Sequence, residues 1–161
     1  MMNKTKCIMT GCFDPFTIGH LNILSKVVSQ FDEIYVVALN NIEKTSMFSL
    51  EERKRIIEES VSQYKNVIAD CYDGLTADYM HSHGITTIIR GVRNETDMAY
   101  EENLSKIMES YDNEFRTIIV KCDEKFSGVS STIVREKIRN EENFTSLVCK
   151  NVSQIIKDFR K

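Results

Sequence analysis

The stretch that decides the fold is Cys7-Ile8-Met9-Thr10-Gly11-Cys12-Phe13-Asp14-Pro15-Phe16-Thr17-Ile18-Gly19-His20. Its first three residues are apolar and predict a buried strand, and we expect a helix to begin near Gly19. The stretch holds the only proline of the chain and two of its six glycines. Pro15 stiffens the loop, and Gly11 lets the backbone approach a ligand closely. His20 falls at a helix N-terminus, where exposed amides and the helix dipole favour phosphate, so the stretch predicts a phosphate site.

On either side of this loop, apolar runs alternate with segments of helical length. Further strands are predicted at residues 34–39, 66–71, 86–89 and 116–120. A capping box at Ser49-Leu50-Glu51-Glu52 starts a helix. Apolar residues at helical spacing form three further sets: Leu50, Ile57, Val61 and Tyr64; Tyr100, Leu104, Ile107, Met108 and Tyr111; Val148, Val152, Ile155, Ile156 and Phe159. The alternation predicts an α/β fold, a doubly wound, Rossmann-like parallel sheet of five strands with helices on both faces.

Composition excludes several classes of protein. The 161 residues, 42% of them hydrophobic, suit a single domain spanning residues 1–161. A net charge of −3 gives no basic footprint, so we expect no nucleic-acid partner and no acidic membrane. The N-terminus lacks the pattern of a secretory signal, and no apolar run is long enough to span a bilayer. Five cysteines without C-x-x-C spacing favour reduced thiols in a cytoplasmic protein.

His81 and His83 are the other two histidines of the chain. They precede Gly84 at an apparent helix end, and no cysteine or carboxylate ligand set lies near them in the sequence. We expect them to contact the helix C-terminus or solvent. No metal ligands are predicted in this chain.

Three later segments carry residues suited to phosphate chemistry. Residues 44–53 place Lys44 before the capped helix, and residues 89–93 place Arg90 and Arg93 at the end of an apolar strand. Residues 127–136 place a Ser-Ser-Thr run at a helix start. Taken singly, Lys44 fits a solvated loop, Arg93 a surface ion pair and Ser130 an ordinary N-cap. Their order and spacing favour function.

Together with the first loop, these segments resemble the signature blocks of the nucleotidylyltransferase superfamily. The string G-x-F-D-P-x-T-x-G-H is similar to the T/H-x-G-H motif of that superfamily, and Thr17 indicates its phosphopantetheine adenylyltransferase branch. The resemblance implies the nucleotidylyltransferase fold and an enzyme that transfers the adenylyl group of ATP to 4′-phosphopantetheine. The products would be dephospho-coenzyme A and pyrophosphate, in coenzyme A biosynthesis. In this reaction the acceptor phosphate attacks in line, and electrostatic stabilisation does most of the catalysis.

The resemblance also implies roles for individual residues. His20, Lys44 and Arg90 would be catalytic. The residues expected at the ATP site are Cys12, Phe13, His20, Gly91, Val92, Arg93, Glu101, Phe126, Ser127, Gly128, Val129, Ser130, Ser131 and Thr132. Those expected to bind phosphopantetheine are Cys12, Lys44, Thr76 and Arg90. Mg²⁺ would bridge the ATP phosphates without protein ligands of its own, and the chain would assemble as a homohexamer.

Cys12 departs from the pattern of this family, which has threonine at the equivalent position. A thiol is a weaker hydrogen-bond donor than a hydroxyl, so we expect the backbone amides of Cys12 and Phe13 to contact the phosphate instead. Two alternatives stay open on the sequence alone. One is a nucleotidylyltransferase that uses a different phosphate acceptor, and the other is a nucleotide-binding module without catalysis.

Overall fold

A computed structural model describes residues 3–161 as five parallel strands with helices on both faces. The strands are β1 (Lys6–Gly11), β2 (Glu33–Leu39), β3 (Val67–Tyr72), β4 (Thr87–Val92) and β5 (Arg116–Lys121). The helices are α1 (Ile18–Val27), α2 (Leu50–Ser60), α3 (Thr76–His83), α4 (Glu95–Tyr111), α5 (Ser131–Arg139) and α6 (Ser153–Phe159). Single 3₁₀ turns lie at Glu124–Phe126, Thr145–Leu147 and Lys150–Val152. The predicted fold class is confirmed.

The central strands are buried on both faces because their side chains alternate between two apolar clusters. Cys7 and Met9 of β1 join a large cluster with α1, α2, α5 and α6. Ile8, which lies between them and points the other way, joins a smaller cluster with Met80 of α3 and Ile88 of β4. A strand covered on both sides needs apolar residues at consecutive positions, which is the pattern that predicted β1 and β2.

The strand order is β3-β2-β1-β4-β5. β2 and β3 extend the sheet to one side of β1, and β4 and β5 extend it to the other, so the switch point lies between β1 and β4. β1 pairs with β2 over six residues, from Lys6 to Gly11. Its pairing with β4 covers only three, from Cys7 to Met9. The two strands therefore part towards their carboxyl ends, which is where ligands bind in sheets of this kind.

Several predicted boundaries differ from the structure. β1 and β4 continue past the predicted apolar runs to Gly11 and Val92, because ladder pairing to β2 and β5 extends there. Tyr64 lies beyond α2, which ends at Ser60, although its ring still packs on the core. Val148 and Val152 are buried but precede α6, in turns rather than in the helix.

The capping box at the start of α2 is confirmed. Ser49 Oγ accepts from the Glu52 amide at 3.1 Å, and Glu52 Oε2 accepts from the Ser49 amide at 2.9 Å. Helix α4 also exists as predicted, but three of its five apolar residues at helical spacing point outwards: Tyr100, Ile107 and Tyr111 are 57–63% exposed, whereas Leu104 and Met108 are half-buried. Its buried residue is Glu101.

Candidate active site

A cavity of about 390 Å³ opens where β1 and β4 part. Twelve of the predicted site residues line it: Cys12, Phe13, His20, Arg90, Gly91, Val92, Arg93, Glu101, Phe126, Val129, Ser130 and Ser131. The first loop, the end of β4 and the start of α5 thus converge at the switch point of the sheet. These three segments, although far apart in sequence, form one wall because each follows or flanks a carboxyl end of a strand.

The first loop presents free backbone donors to this cavity. Phe13 has a φ of +47°, an unusual conformation for a bulky residue, and its ring is buried against Phe16 and His20 at centroid distances of 5.3 and 5.0 Å. The carbonyl of Cys12 accepts from Arg53 Nη1 at 2.8 Å. Because a trans peptide points its N–H opposite to its C=O, the Phe13 amide points away from Arg53. Within residues 3–161 this amide has no hydrogen-bond partner.

His20 is held by a capping box at the N-terminus of α1. The Thr17 amide donates to His20 Nδ1 at 2.9 Å, and Thr17 Oγ1 accepts from the His20 amide at 3.4 Å. Because Nδ1 is an acceptor here, a neutral His20 carries its proton on Nε2. Burial, with a smaller contribution from the positive charge of Arg93, lowers the pKa of His20 to about 4. At neutral pH His20 is therefore an uncharged donor through Nε2–H.

Arg90 is aligned by a carboxylate that lies beneath it. Its Nε and Nη2 donate to the two carboxylate oxygens of Glu101 at 2.7 and 3.0 Å. Its Nη1 donates to the carbonyl and hydroxyl of Thr10 at 3.2 and 3.1 Å. These bonds use four of the five guanidinium N–H groups and leave one on Nη2 for a ligand. Arg90 is thus held rigidly in the cavity wall, with one N–H group left for a ligand.

Arg93 is oriented from behind in a similar way. Its Nε donates to Asp97 Oδ2 at 3.1 Å, and its backbone amide donates to the same oxygen at 3.0 Å. The two terminal nitrogens are left for a ligand. Gly91 lies between the two arginines, where a Cβ would come within 2.8 Å of Ile23 Cγ1. Glycine is required here because α1 packs directly against this end of β4.

The start of α5 supplies a further anion-binding group. Ser130 is the N-cap, and its Oγ accepts from the Ile133 amide at 3.2 Å. Ser131 Oγ donates to the Pro15 carbonyl at 2.7 Å and ties this helix to the first loop. The first amides of α5 and its dipole therefore face the same cavity as Arg90.

Five predicted residues do not line this cavity. Lys44 is exposed and lies in a neighbouring groove with Phe48 and Arg53. Thr76 begins α3, beyond β3. The other three are on the rim of the site: Ser127, Gly128 and Thr132. Thr132 Oγ1 accepts from Arg135 Nη2 at 3.2 Å.

Sequence reasoning missed the residues that join these segments. Asp14 is 5% exposed and accepts from the amides of Met47 and Phe48, both at 2.9 Å, which links the first loop to the loop of Lys44. Arg53 is buried in α2 and donates to the first loop as well. Glu101, expected at the ATP site, lines the cavity, and its carboxylate is bonded to Arg90. Only Asp14, between Phe13 and Pro15, offered a signal as a charged residue with apolar neighbours on both sides, whereas Arg53 stands between Glu52 and Lys54.

The two remaining histidines lie away from the cavity, around α3. His83 Nδ1 contacts the Tyr79 carbonyl at 2.8 Å near the end of α3, as expected. His81 is exposed to solvent, the other expected outcome, and pairs with Asp112 at 2.7 Å. Within residues 3–161 no group of three or more possible metal-binding side chains is found. The five cysteines, all inside that range, are free thiols.

The arrangement is suited to binding a polyanion. Two arginines, a neutral imidazole N–H, unpaired loop amides and a helix N-terminus face one cavity, and its two carboxylates, Asp97 and Glu101, are already paired with arginines. The cavity lining includes the thiols of Cys12 and Cys122, and in the described residues 3–161 neither is hydrogen-bonded to a side chain that could act as its base. Chemistry at this site therefore depends on binding, orientation and charge stabilisation rather than on a covalent intermediate.

Comparison with known proteins agrees with this description. The sequence model of the cytidylyltransferase-like family matches residues 8–137. The phosphopantetheine adenylyltransferase of Staphylococcus haemolyticus (strain JCSC1435) is 35% identical to this chain over 161 residues, which cover 99% of this chain and all of that protein.

A solved structure shares the fold. It is a Vibrio parahaemolyticus protein provisionally described as a nicotinate-nucleotide adenylyltransferase, which aligns with a TM-score of 0.66 at 16% identity. The alignment covers 95% of this chain and 98% of that one. In the part of the chain from residue 3 onwards, no helix is long and apolar enough to cross a membrane.

Proposed function

The chain belongs to the cytidylyltransferase-like family, and we infer that it transfers the adenylyl group of ATP to 4′-phosphopantetheine, giving dephospho-coenzyme A and pyrophosphate. A full-length relative at 35% identity carries the name phosphopantetheine adenylyltransferase. One structural observation carries the proposal: His20, Arg90, Arg93 and the start of α5 face a single cavity at the switch point of the sheet. This is the place where sheets of this kind bind nucleotides.

The reaction needs no nucleophile from the protein. An oxygen of the acceptor phosphate, already anionic at neutral pH, forms a bond to the α-phosphorus of ATP. The bond from that phosphorus to the bridging oxygen breaks, and pyrophosphate leaves with its electron pair. The barrier comes from bringing two anions together and from the charge that develops in the transition state, so positioned donors lower it.

The site residues divide into two groups by position. We propose that Nε2–H of His20 and the free N–H of Arg90 donate to the α-phosphate and the incoming oxygen. Arg93 and the first amides of α5 would hold the β- and γ-phosphates, because they lie on the same cavity wall with unused donors. Cys12 and Phe13 would contribute through their backbone amides.

The acceptor would approach from the side of β2 and β3. Lys44 lies in the groove next to the nucleotide cavity, and Thr76 starts the helix that follows β3. A lysine on a long, flexible stem can swing towards the junction of the two substrates, where it would share the charge of the acceptor phosphate with Arg90. The pantetheine arm would then extend past Leu75 and Thr76.

Mg²⁺ would arrive with ATP as part of the co-substrate. The two carboxylates that line the cavity are paired with arginines, so the ion would be held by phosphate oxygens and water, which is the coordination that Mg²⁺ prefers at nucleotide sites. Its contribution would be to neutralise phosphate charge. The cavity wall also carries the hydroxyl oxygens of Ser130 and Ser131.

We further propose that the enzyme is a cytoplasmic homohexamer without a nucleic-acid partner. The outward apolar face of α4 supports assembly, because exposed tyrosine and isoleucine side chains in a row favour burial in an interface. The matching measurement is multi-angle light scattering, with a mass near six times the chain mass of 18.6 kDa expected. A monomer mass at micromolar concentration contradicts the proposal.

The experiment that tests the function measures pyrophosphate release from MgATP with three acceptors: 4′-phosphopantetheine, nicotinamide mononucleotide and glycerol phosphate. We expect rapid release with the first acceptor alone. Release with one of the others supports a different acceptor within the same family. ATP binding by calorimetry without pyrophosphate release from any acceptor supports a non-catalytic module and overturns the proposal.

A further inference from the structure

Among residues 3–161, Arg53 is the largest fully buried side chain, with 1% of its surface exposed. It lies one turn into α2, and its guanidinium donates to five acceptors in three segments of the chain. The acceptors are the carbonyls of Phe48 (3.1 Å), Ser49 (3.3 Å), Cys12 (2.8 Å) and Leu39 (2.9 Å), and Oδ1 of Asn40 (2.7 Å). One planar group thus connects the first loop, the end of β2 and the start of α2.

The charge of Arg53 has no carboxylate partner. Among the ion pairs of residues 3–161, none within 4.0 Å involves this guanidinium. Burying a cation against carbonyl dipoles alone is costly compared with burying an apolar side chain of similar size. Packing therefore does not explain an arginine at this position. The better explanation is that Arg53 fixes the relative positions of the three segments to which it donates hydrogen bonds.

The loop that carries Lys44 is closed at its base by this one side chain. Leu39 and Asn40 precede the loop and Phe48 follows it, and all three accept hydrogen bonds from Arg53. Across the range 3–161, residues 41–46 bond only within the loop, as in the bond from the Lys44 amide to the Asn41 carbonyl at 3.0 Å. The position of Lys44 therefore depends on how the two ends of its loop are held.

The same guanidinium fixes these ends relative to the phosphate loop. Nη1 donates at once to Leu39 of the Lys44 loop base and to Cys12 of the first loop. Asp14 of the first loop adds a second tie through the amides of Met47 and Phe48. Arg53 is thus the bridge between the segment that would carry Lys44 and the segment that lines the nucleotide cavity.

We propose that Arg53 is a positioning residue for adenylyl transfer: it holds the Lys44 loop against the first loop, so that the Lys44 ammonium meets the acceptor phosphate in the transition state. The inference rests on the proposed function. Lysine cannot replace Arg53 in this role, because a single ammonium presents its donors from one point, whereas the guanidinium reaches Phe48 on one edge and Cys12 and Leu39 on the other.

The first test compares Arg53→Lys with Arg55→Lys. Arg55 is on the same helix, but its side chain is 55% exposed and pairs with Glu59 on the surface, so it is a matched control. We expect Arg53→Lys to lower kcat for pyrophosphate release about 10²-fold, with a much smaller change in the KM for ATP, as for a misplaced transition-state group. Arg55→Lys should leave both unchanged. Equal kinetics for the two variants overturn the proposal.

The second test separates positioning from general stability. In a Lys44→Ala background, Arg53→Lys should cost much less in kcat than it does in the wild-type background, because the group that Arg53 positions is already gone. A merely structural arginine would give the same fold loss in both backgrounds, and that result overturns the proposal. Amide hydrogen exchange should rise in residues 41–46 of Arg53→Lys and stay at the wild-type rate in Arg55→Lys.

The exchange measurement needs no enzymatic activity, so it distinguishes this inference from the proposed function. If Lys44→Ala retains full kcat while exchange rises in Arg53→Lys, the role of Lys44 fails and the holding of the loop by Arg53 stands. If Arg53→Lys does not fold, Asn40→Ala replaces it, since Asn40 is exposed and accepts one Arg53 bond. Unchanged exchange and kcat in that variant overturn the proposal.

Discussion

The two ring nitrogens of His20 have separate tasks, and two substitutions can separate them. Nδ1 accepts from the Thr17 amide at 2.9 Å, while Nε2–H faces the cavity. In His20→Asn, the Asn oxygen takes the place of Nδ1 and keeps the cap, but no donor reaches the position of Nε2. In His20→Gln, the longer amide nitrogen reaches the position of Nε2, but the cap acceptor is lost.

The expected magnitudes follow from these two losses. Removing one donor to the transition state costs about 10²–10³ in kcat, whereas losing a helix cap costs about 1 kcal/mol of stability. His20→Asn should therefore lose kcat about 10²–10³-fold while keeping a Tm close to that of the wild type. His20→Gln should keep more of its kcat and lose Tm instead.

The assay pairs steady-state pyrophosphate release, at saturating MgATP and phosphopantetheine, with thermal unfolding of the same samples. The KM for ATP should change little in His20→Asn, because the lost donor acts mainly in the transition state. The reasoning is refuted if His20→Asn retains near-normal kcat, or if the two variants lose kcat equally while neither loses Tm.

Three further predictions concern pH, Arg90 and Cys12. Because the pKa of His20 is lowered from 6.5 to about 4 in the folded protein, the unfolded chain takes up this proton at a higher pH than the folded chain, and lowering the pH from 6.5 to 4 should reduce the free energy of unfolding by about 3 kcal/mol. Urea unfolding of the wild type and of His20→Asn at several pH values measures this loss. Equal pH slopes for the two proteins contradict the prediction. Glu101→Gln removes the charge that aligns Arg90 and should lower kcat/KM about 10–100-fold. The control is Glu102→Gln, at an exposed position on the same helix, which should leave kcat/KM unchanged. A fully active Glu101→Gln enzyme shows that Glu101 does not align Arg90. Cys12→Thr should leave activity near that of the wild type, because the loop amides bind the phosphate. In a variant that keeps Cys12 alone among the cysteines, alkylation should inactivate and ATP should protect, so equal inactivation rates with and without ATP would count against this assignment.

The sequence predicted the parts of the fold that depend on local patterns. Consecutive apolar residues identified β1 and β2, and the Ser49–Glu52 box identified the start of α2, because these signals come from residues that are neighbours in the chain. The loop with Gly11 and Pro15 was assigned to phosphate binding, and it does line the cavity. The fold class and most of the residues that line the cavity were thus accessible without a structure.

The sequence did not predict contacts between distant segments. Helix periodicity cannot tell an apolar face that packs on a sheet from one that points outwards, so the exposure of Tyr100 in α4 was not foreseen. A carboxylate one residue further on was buried instead, because Arg90, eleven residues earlier, reaches it across the sheet edge. No local pattern predicts the burial of Arg53, because its distant acceptors are Cys12 in the first loop and the adjacent Leu39 and Asn40 at the end of β2.

The early end of pairing between β1 and β4 has a consequence for how a ligand acts on this protein. Beyond Met9 and Ile89 the two strands share no register pair in the described chain. The Arg90 side chain donates to Thr10 at the place where the next pair of backbone residues would have been. A nucleotide bound there would take the place of the missing length of strand and join two halves of the sheet that are otherwise connected over three residues. The bound substrate would then be a structural part of the sheet. Without it, the carboxyl ends of β1 and β4 would be less tightly held together.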